Sequence, residues 1–231
     1  MDLDQVPMPP ALAARPRDAR GYPVLAITPW NDGVPAFALT SMARILICAA
    51  ERLCSICGTP LDPGSVYRVV ADLEAQAIAR ALRNGVGYGN AAPTTEPGGH
   101  RACMLYAAVV CPYLARPNAR RSLSGVVEGV ELRRGEARGE IDGIGGALAG
   151  YADYHFDLNE QVLFRFGELL EYRAHRLGAA QLPELAAEVA AALKAATAGA
   201  ERDDVPCPGY LGVDENAAEA RASMILSQLR S

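Results

Sequence analysis

Histidine occurs three times, tryptophan once and lysine once in 231 residues, and each scarcity excludes something. Lys194 is the single lysine among 22 basic residues, and 27 acids outnumber them to give a net charge of −5. That balance excludes a polybasic chain that binds nucleic acid without selectivity. Aromatic residues make up only 6% of a chain that is 50% apolar, so the expected core is Ala, Val and Leu with many tight connections. No long apolar run is present: Ile45–Ala50 and Met104–Val110 are the strongest stretches, and both are far short of the roughly 20 residues that span a bilayer. Residues 1–20 hold three acids, three arginines and four prolines, without the basic start and apolar run of a signal peptide. A cytoplasmic protein with a mobile amino-terminal arm over 1–20 is expected. Six cysteines are too few for a disulfide scaffold, and in a reducing compartment paired cysteines read as metal ligands.

Catalytic signatures are also missing. No GxSxG is present, and the GIGG of the segment Gly135–Gly150 lacks both the GxxxxGK[ST] and GxGxxG layouts. No repeat of fixed period occurs.

What is present reads as one α+β unit. Two short strands, Val24–Thr28 and Ala36–Leu39, flank turn signals at Pro29, Asn31-Asp32-Gly33 and Pro35. Thr40 or Ser41 caps a helix over Ser41–Arg52. A knuckle-like turn over Cys54–Gly64 precedes a strand at Ser65–Val70 and a helix at Leu73–Arg83. Gly85–Gly99 is a loop by composition, Arg101–Val110 a helix, and Gly125–Leu132 a strand. Val162–Phe166 reads as a strand and Glu168–Leu177 as a helix stopped by Gly178. Glu184–Thr197 follows as a helix with Pro183 in its first turn, then a linker over Gly199–Gly212. The last element is an amphipathic helix, Asp214–Leu229. The expected architecture is therefore an arm (1–20), a zinc-stapled α+β core (21–150) and a mainly helical carboxy-terminal region packed on it (151–231). Its sheets are small and mixed or antiparallel.

Four side chains form the one constellation with specific chemistry. Cys54-Ser-Ile-Cys57-Gly58 is a CxxCG knuckle, whose two-residue spacer lets both thiolates point at one ion. Gly58 permits the backbone turn that follows. His100-Arg-Ala-Cys103 is an HxxC pair entering a helix, where residues three apart share a face. Cys54, Cys57, His100 and Cys103 then make a Cys3His zinc site of the structural kind. Cys111 lies eight residues beyond Cys103, about 12 Å along a helix, so one ion does not take both. Cys111, Cys48 and Cys207 are expected as buried thiols.

ERLCSICGTPL, then EPGGHRAC, then CPYLARP resembles a group of uncharacterised proteins from high-GC bacteria and their phages. Those pair an ERLCxxCG knuckle with PPxHxxCAxxAxxxCPFLxRP. GYPV…GVPAF and VLFRFGE are similar as well, and Met104 departs from the small residue usual there. The resemblance implies a treble-clef-like zinc centre and carries no activity with it.

Three functional readings arise. The first is a binding or adaptor module, with a protein partner, whose surface the zinc supports. The second is a metal-dependent enzyme with a pocket around His155, Asp157, Glu168 and His175, with Glu171 on the same stripe if the segment is helical. The third is a nucleic-acid-binding module using the basic stretch Arg116, Arg120, Arg121, Arg133 and Arg134. Residues 101–138 carry net +4 and residues 150–231 net −6, so the charge is uneven. A nuclease of the HNH type is excluded, since Gly58–Gly99 contains no histidine to serve as base.

Overall fold

In a computed structural model, residues 6–37, 39–70, 72–88, 93–110, 146–175, 182–198 and 205–230 are described. The protein is α+β: six helices and small antiparallel sheets occur among these residues. No helix among them is long and apolar enough to cross a membrane. Cys111, the strand expected over 125–132, the arginines from Arg116 to Arg134 and the glycine-rich run as far as 145 lie outside the described residues.

The amino-terminal segment carries a helical turn, α1 (Pro10–Ala13), and buries Val6, Leu12 and Arg15. The two strands expected between 24 and 39 shrink to a pair of two-residue strands, β1 (Trp30–Asn31) and β2 (Val34–Pro35). Val24 and Ala26 are buried, but their backbones bond to Pro16 and Ile56 rather than to a neighbouring strand. Helix α2 (Met42–Ala50) begins at Ser41, whose hydroxyl accepts from the Arg44 amide.

Strand β3 (Val66–Val70), helix α3 (Asp72–Arg83) and helix α4 (Arg101–Val110) stand where the periodicity places them. Residues 102–110 of α4 are all buried, so this helix is surrounded: it packs on β3, on β4 (Gly146–Tyr151) and on α5 (Leu182–Ala198).

Two expectations are corrected. Gly146–Gly150, read as part of a glycine-rich segment, is β4, the central strand of a sheet ordered β3-β4-β7. Helices α3 and α4 pack on β4 and all six of its residues are buried, so GALAGY shows no alternation to betray a strand. Glu168–Leu177, read as a helix, is largely strand β7 (Leu169–His175). Leu, Glu, Arg and Ala favour helix locally, but pairing with β4 from Gly146↔His175 to Tyr151↔Leu169 decides the backbone.

Between β4 and β7 lie β5 (Tyr154–Leu158) and β6 (Val162–Phe166), an antiparallel pair. The bonds Ala152 N–H to Glu168 O and Gly167 N–H to Asp153 O join the two ladders, so residues 146–175 make one long hairpin bent near Asp153. Its apolar face gathers Tyr151, Tyr154, Phe164 and Phe166, with ring centroids 5.0–6.2 Å apart. The Tyr154 hydroxyl donates to the Ala49 carbonyl at 2.9 Å and so satisfies the last turn of α2. The final helix, α6 (Glu215–Arg230), is capped by Asp214 and buries Ala218, Ala222 and Ile225. It packs on α2.

Candidate metal centre

The knuckle is built by backbone bonds. Leu53 bridges Pro60, the Cys54 amide donates to Thr59 O at 2.8 Å, and the Gly58 amide donates to Cys54 O at 2.8 Å. Closing so tight a loop needs a left-handed residue, and Gly58 supplies it at φ +79°. A side chain there is doubly excluded, because a Cβ would stand 2.5 Å from the Cys207 sulfur.

The second pair is delivered by a different device. Tyr67 of β3 exchanges two backbone bonds of 2.9 Å with Gly99, and the Ser55 amide donates to Gly98 O at 3.1 Å. These bonds clamp the residues before α4 against the knuckle. His100 immediately precedes α4 and accepts at its carbonyl from the Met104 amide, so Cys103 falls in the first turn. The 42 residues between Cys57 and His100 thus cost little, since β3 brings the ends together.

The four ligand atoms of Cys54, Cys57, His100 and Cys103 lie within 4.8 Å of one another. His100 Nδ1 is 3.4 Å from the Cys57 sulfur and 3.9 Å from that of Cys103. A zinc tetrahedron has edges of roughly 3.5–3.8 Å, given bonds of about 2.0 Å to nitrogen and 2.3 Å to sulfur. The set can hold such a metal ion. The three cysteines are buried, and all four donors come from the protein.

Neighbouring groups orient the donors. His100 Nε2 lies 2.8 Å from the Pro60 carbonyl, which can only accept, so Nε2 carries a proton and Nδ1 is the nitrogen turned toward the sulfurs, where a metal ion would take its lone pair. The His100 amide donates to the Cys54 sulfur at 3.4 Å, and the Thr59 hydroxyl lies 3.2 Å from that of Cys57. Neither Pro60 nor Thr59 was picked out by spacing; their signal was adjacency to the knuckle in CGTP.

The electrostatics suit a cation. Burial opposes charge on Cys54, yet bonds from Cys103 and Cys57 and the charge of His100 outweigh it and hold this thiol well below its ordinary range. Burial likewise works against a charged His100, but the Cys54 thiolate and bonds to Cys54 and Cys57 push the imidazole up to about 12. Bonds to Cys54 and Cys57, together with burial, raise the Cys103 thiol well above its usual value. A buried thiolate paired with an imidazolium is the arrangement that a divalent ion displaces, taking the place of the protons.

Gly99 sets the closeness of the two halves. A Cβ on it would lie 2.8 Å from the Cys54 sulfur and 2.8 Å from Met104 Cε. Gly99→Ala is therefore expected to lower metal affinity at least about tenfold and to cost about 1–3 kcal/mol of stability. Competition with a chromogenic chelator and a urea titration would measure both; unchanged affinity would show that the halves can separate freely.

Two cysteines outside the set differ from one another. Cys48 is buried, and desolvation raises its thiol well above the ordinary value. Cys207, expected as an apolar filler, instead accepts from Arg15 Nη1 at 2.9 Å and packs against Gly58. Burial raises its thiol while the Arg15 charge works the other way.

The residues proposed for a second, enzymatic site are not brought together. His155 and Asp157 are exposed on β5, and Asp157 pairs with Arg165 at 3.0 Å. Glu168 is exposed at the entrance to β7, whereas His175 ends that strand. Seven extended residues separate the two by about 23 Å, so the stripe that a helix would have made does not exist. Glu171 instead takes Arg101 of α4 in a two-point ion pair at 2.7–3.1 Å. Among the described residues, the Cys54, Cys57, His100 and Cys103 set is the one cluster of three or more such groups able to hold a metal.

The Arg101–Glu171 pair has a pH signature. The bonds from Arg101 hold the Glu171 carboxyl below its ordinary value of 4.5 against the opposing effect of burial. A lowered folded-state value means stabilisation that is present above the unfolded value and lost as pH falls through the folded one. The stability lost between pH 5 and pH 3 is expected to be smaller in Glu171→Gln than in the wild type. Denaturant midpoints across that range would show it, and parallel profiles would contradict it.

Comparison with protein-family descriptions, with curated proteins and with solved structures gives no match to this chain.

Proposed function

We propose that Cys54, Cys57, His100 and Cys103 bind one zinc ion and that the ion is structural, supporting a surface by which the protein binds a partner protein. The observation that carries the reading is closure: four protein donors converge, three of them buried thiols, and the imidazole is already turned by Pro60. A catalytic zinc keeps a position for water, which this set does not provide. Thiolate and imidazole donors in fourfold array favour zinc over magnesium or calcium. A knuckle, then β3 and, beyond the inserted α3, a helix whose start gives the second pair is an order similar to a treble clef, the centre that the resemblance implies.

Elemental analysis of the purified protein tests this directly. One zinc per chain is expected in the wild type and a loss of it in Cys57→Ser. A wild type without zinc, or a Cys57→Ser variant retaining it, would overturn the assignment.

A further inference from the structure

A groove of about 1100 Å³ runs between α2, α6 and the β5–β6 hairpin. Its floor includes Met42, Leu46, Phe156, Leu158, Leu226 and Leu229. Met42 is 42% exposed and Leu229 52%, and both lie along the groove between the helices that carry them. Large apolar side chains lining a concave strip between two helices are a form in which a partner helix can be seated. The volume would hold roughly 14 Å of a helix about 10 Å across, which is roughly nine residues.

The rim selects for charge. Arg52 is taken by Asp153 at 2.7 Å and Asp157 by Arg165 at 3.0 Å. Glu160 and Glu219 line the groove with no ion-pair partner among the described residues, against Arg230 as the remaining arginine on that rim. Two carboxylates against one arginine leave the rim net acidic, and an acidic rim beside an apolar strip favours an occupant with the opposite pattern.

We propose that this groove binds a short amphipathic helix of a partner protein. One apolar stripe of that helix seats on Leu226, Leu229, Phe156 and Met42, while basic residues flank the stripe and meet Glu160 and Glu219. This rests on the binding-module reading above and specifies its partner. Helix-in-groove recognition reads anchors at i, i+3, i+4 and i+7, and the pairing of α2 with α6 supplies a ridge for them.

The test uses the full zinc-loaded chain and two labelled helical peptides of about 14 residues. Both carry leucines at i, i+3, i+4 and i+7; one is flanked by lysines and the other by glutamates. Fluorescence anisotropy at low salt is expected to show the lysine-flanked peptide bound at least about tenfold more tightly. The double substitution Glu160→Lys with Glu219→Lys should reverse that order, and Leu229→Asp, at an exposed position, should weaken both peptides. Absence of saturable binding, equal affinity for the two peptides, or indifference to Leu229→Asp would overturn the proposal. A dimer in sedimentation that Leu229→Asp dissociates would also overturn it, by giving the groove to a second copy. Zinc content is measured on the same sample. A folded preparation lacking zinc defeats the structural-metal reading, whereas a zinc-loaded one that ignores both peptides defeats the groove proposal alone.

Discussion

Removal of zinc by a strong chelator at neutral pH is expected to abolish the native fold, not merely soften it. Structural zinc in small domains contributes an apparent 10–16 kcal/mol or so, and a domain of this size has about 5–15 kcal/mol in total. The ion would be the tie between two pieces of chain that otherwise meet through few bonds. The knuckle touches the segment before α4 through Ser55 to Gly98 and His100 to Cys54, while α4 itself is buried along residues 102–110. Once the tie opens, three buried cysteines and a half-buried histidine are left sharing a pocket with only protons in place of the ion that joined them. Near-UV circular dichroism of the chelated protein should lose its signal and regain it on adding zinc. A chelated sample that keeps its signal and melts within a few degrees of the wild type would show that packing alone holds the core.

Arg44→Met is expected to be nearly as damaging as any single change away from the metal, at about 3–5 kcal/mol. Arg44 has no exposed surface, an extreme for an arginine. Its guanidinium donates to Glu215 at 2.8 Å, to Leu211 O at 3.1 Å, to Gly212 O at 2.9 Å and to Ala26 O at 3.3 Å. Arg15 makes a parallel set to Val24 O and Leu211 O, so two buried arginines bind the segment 205–212 and the start of α6 to the rest. Methionine fills the volume but leaves those carbonyls without a donor and Glu215 without its charge partner. Glu215→Gln should cost clearly less, because its amide oxygen still accepts from Arg44. Urea denaturation of both variants gives the comparison; equal losses would mean that the carboxylate charge, not the carbonyl set, governs the effect.

The two outcomes bear on different parts of the molecule. Zinc would decide whether α4 and the knuckle come together, whereas Arg44 decides whether α6 closes against α2. The proposed groove depends on the second contact, since α6 forms one of its walls. A protein that binds the basic peptide and loses this on Arg44→Met while keeping its zinc would separate the two functions of the fold.

Local pattern determined much on its own. The CxxCG and HxxC spacings are short-range geometry, fixed by a turn and by one helical turn, so Cys54, Cys57, His100 and Cys103 could be grouped without knowing the fold. Ser41 and Asp214 marked helix starts because capping is chemistry between a side chain and amides two or three residues away. Helices α2, α3, α4 and α6 carry their signals in the same local way.

Only the tertiary structure decided what depends on a distant partner. Gly146–Tyr151 becomes a central strand because α3 and α4 pack on it and β3 and β7 flank it, and its small residues reveal none of this. Leu169–His175 is drawn from its helical preference into the ladder with β4, which spreads Glu168, Glu171 and His175 along a strand in place of the shared stripe that a helix would have made. The Pro60 carbonyl reaches His100 forty residues away, and Cys207 reaches Gly58 from the far end of the chain. Arginine is everywhere in this sequence, and nothing in composition distinguishes Arg15 and Arg44, which are buried among carbonyls, from those at the surface. Short-range chemistry is written in spacing; burial and strand pairing are settled by which surfaces meet.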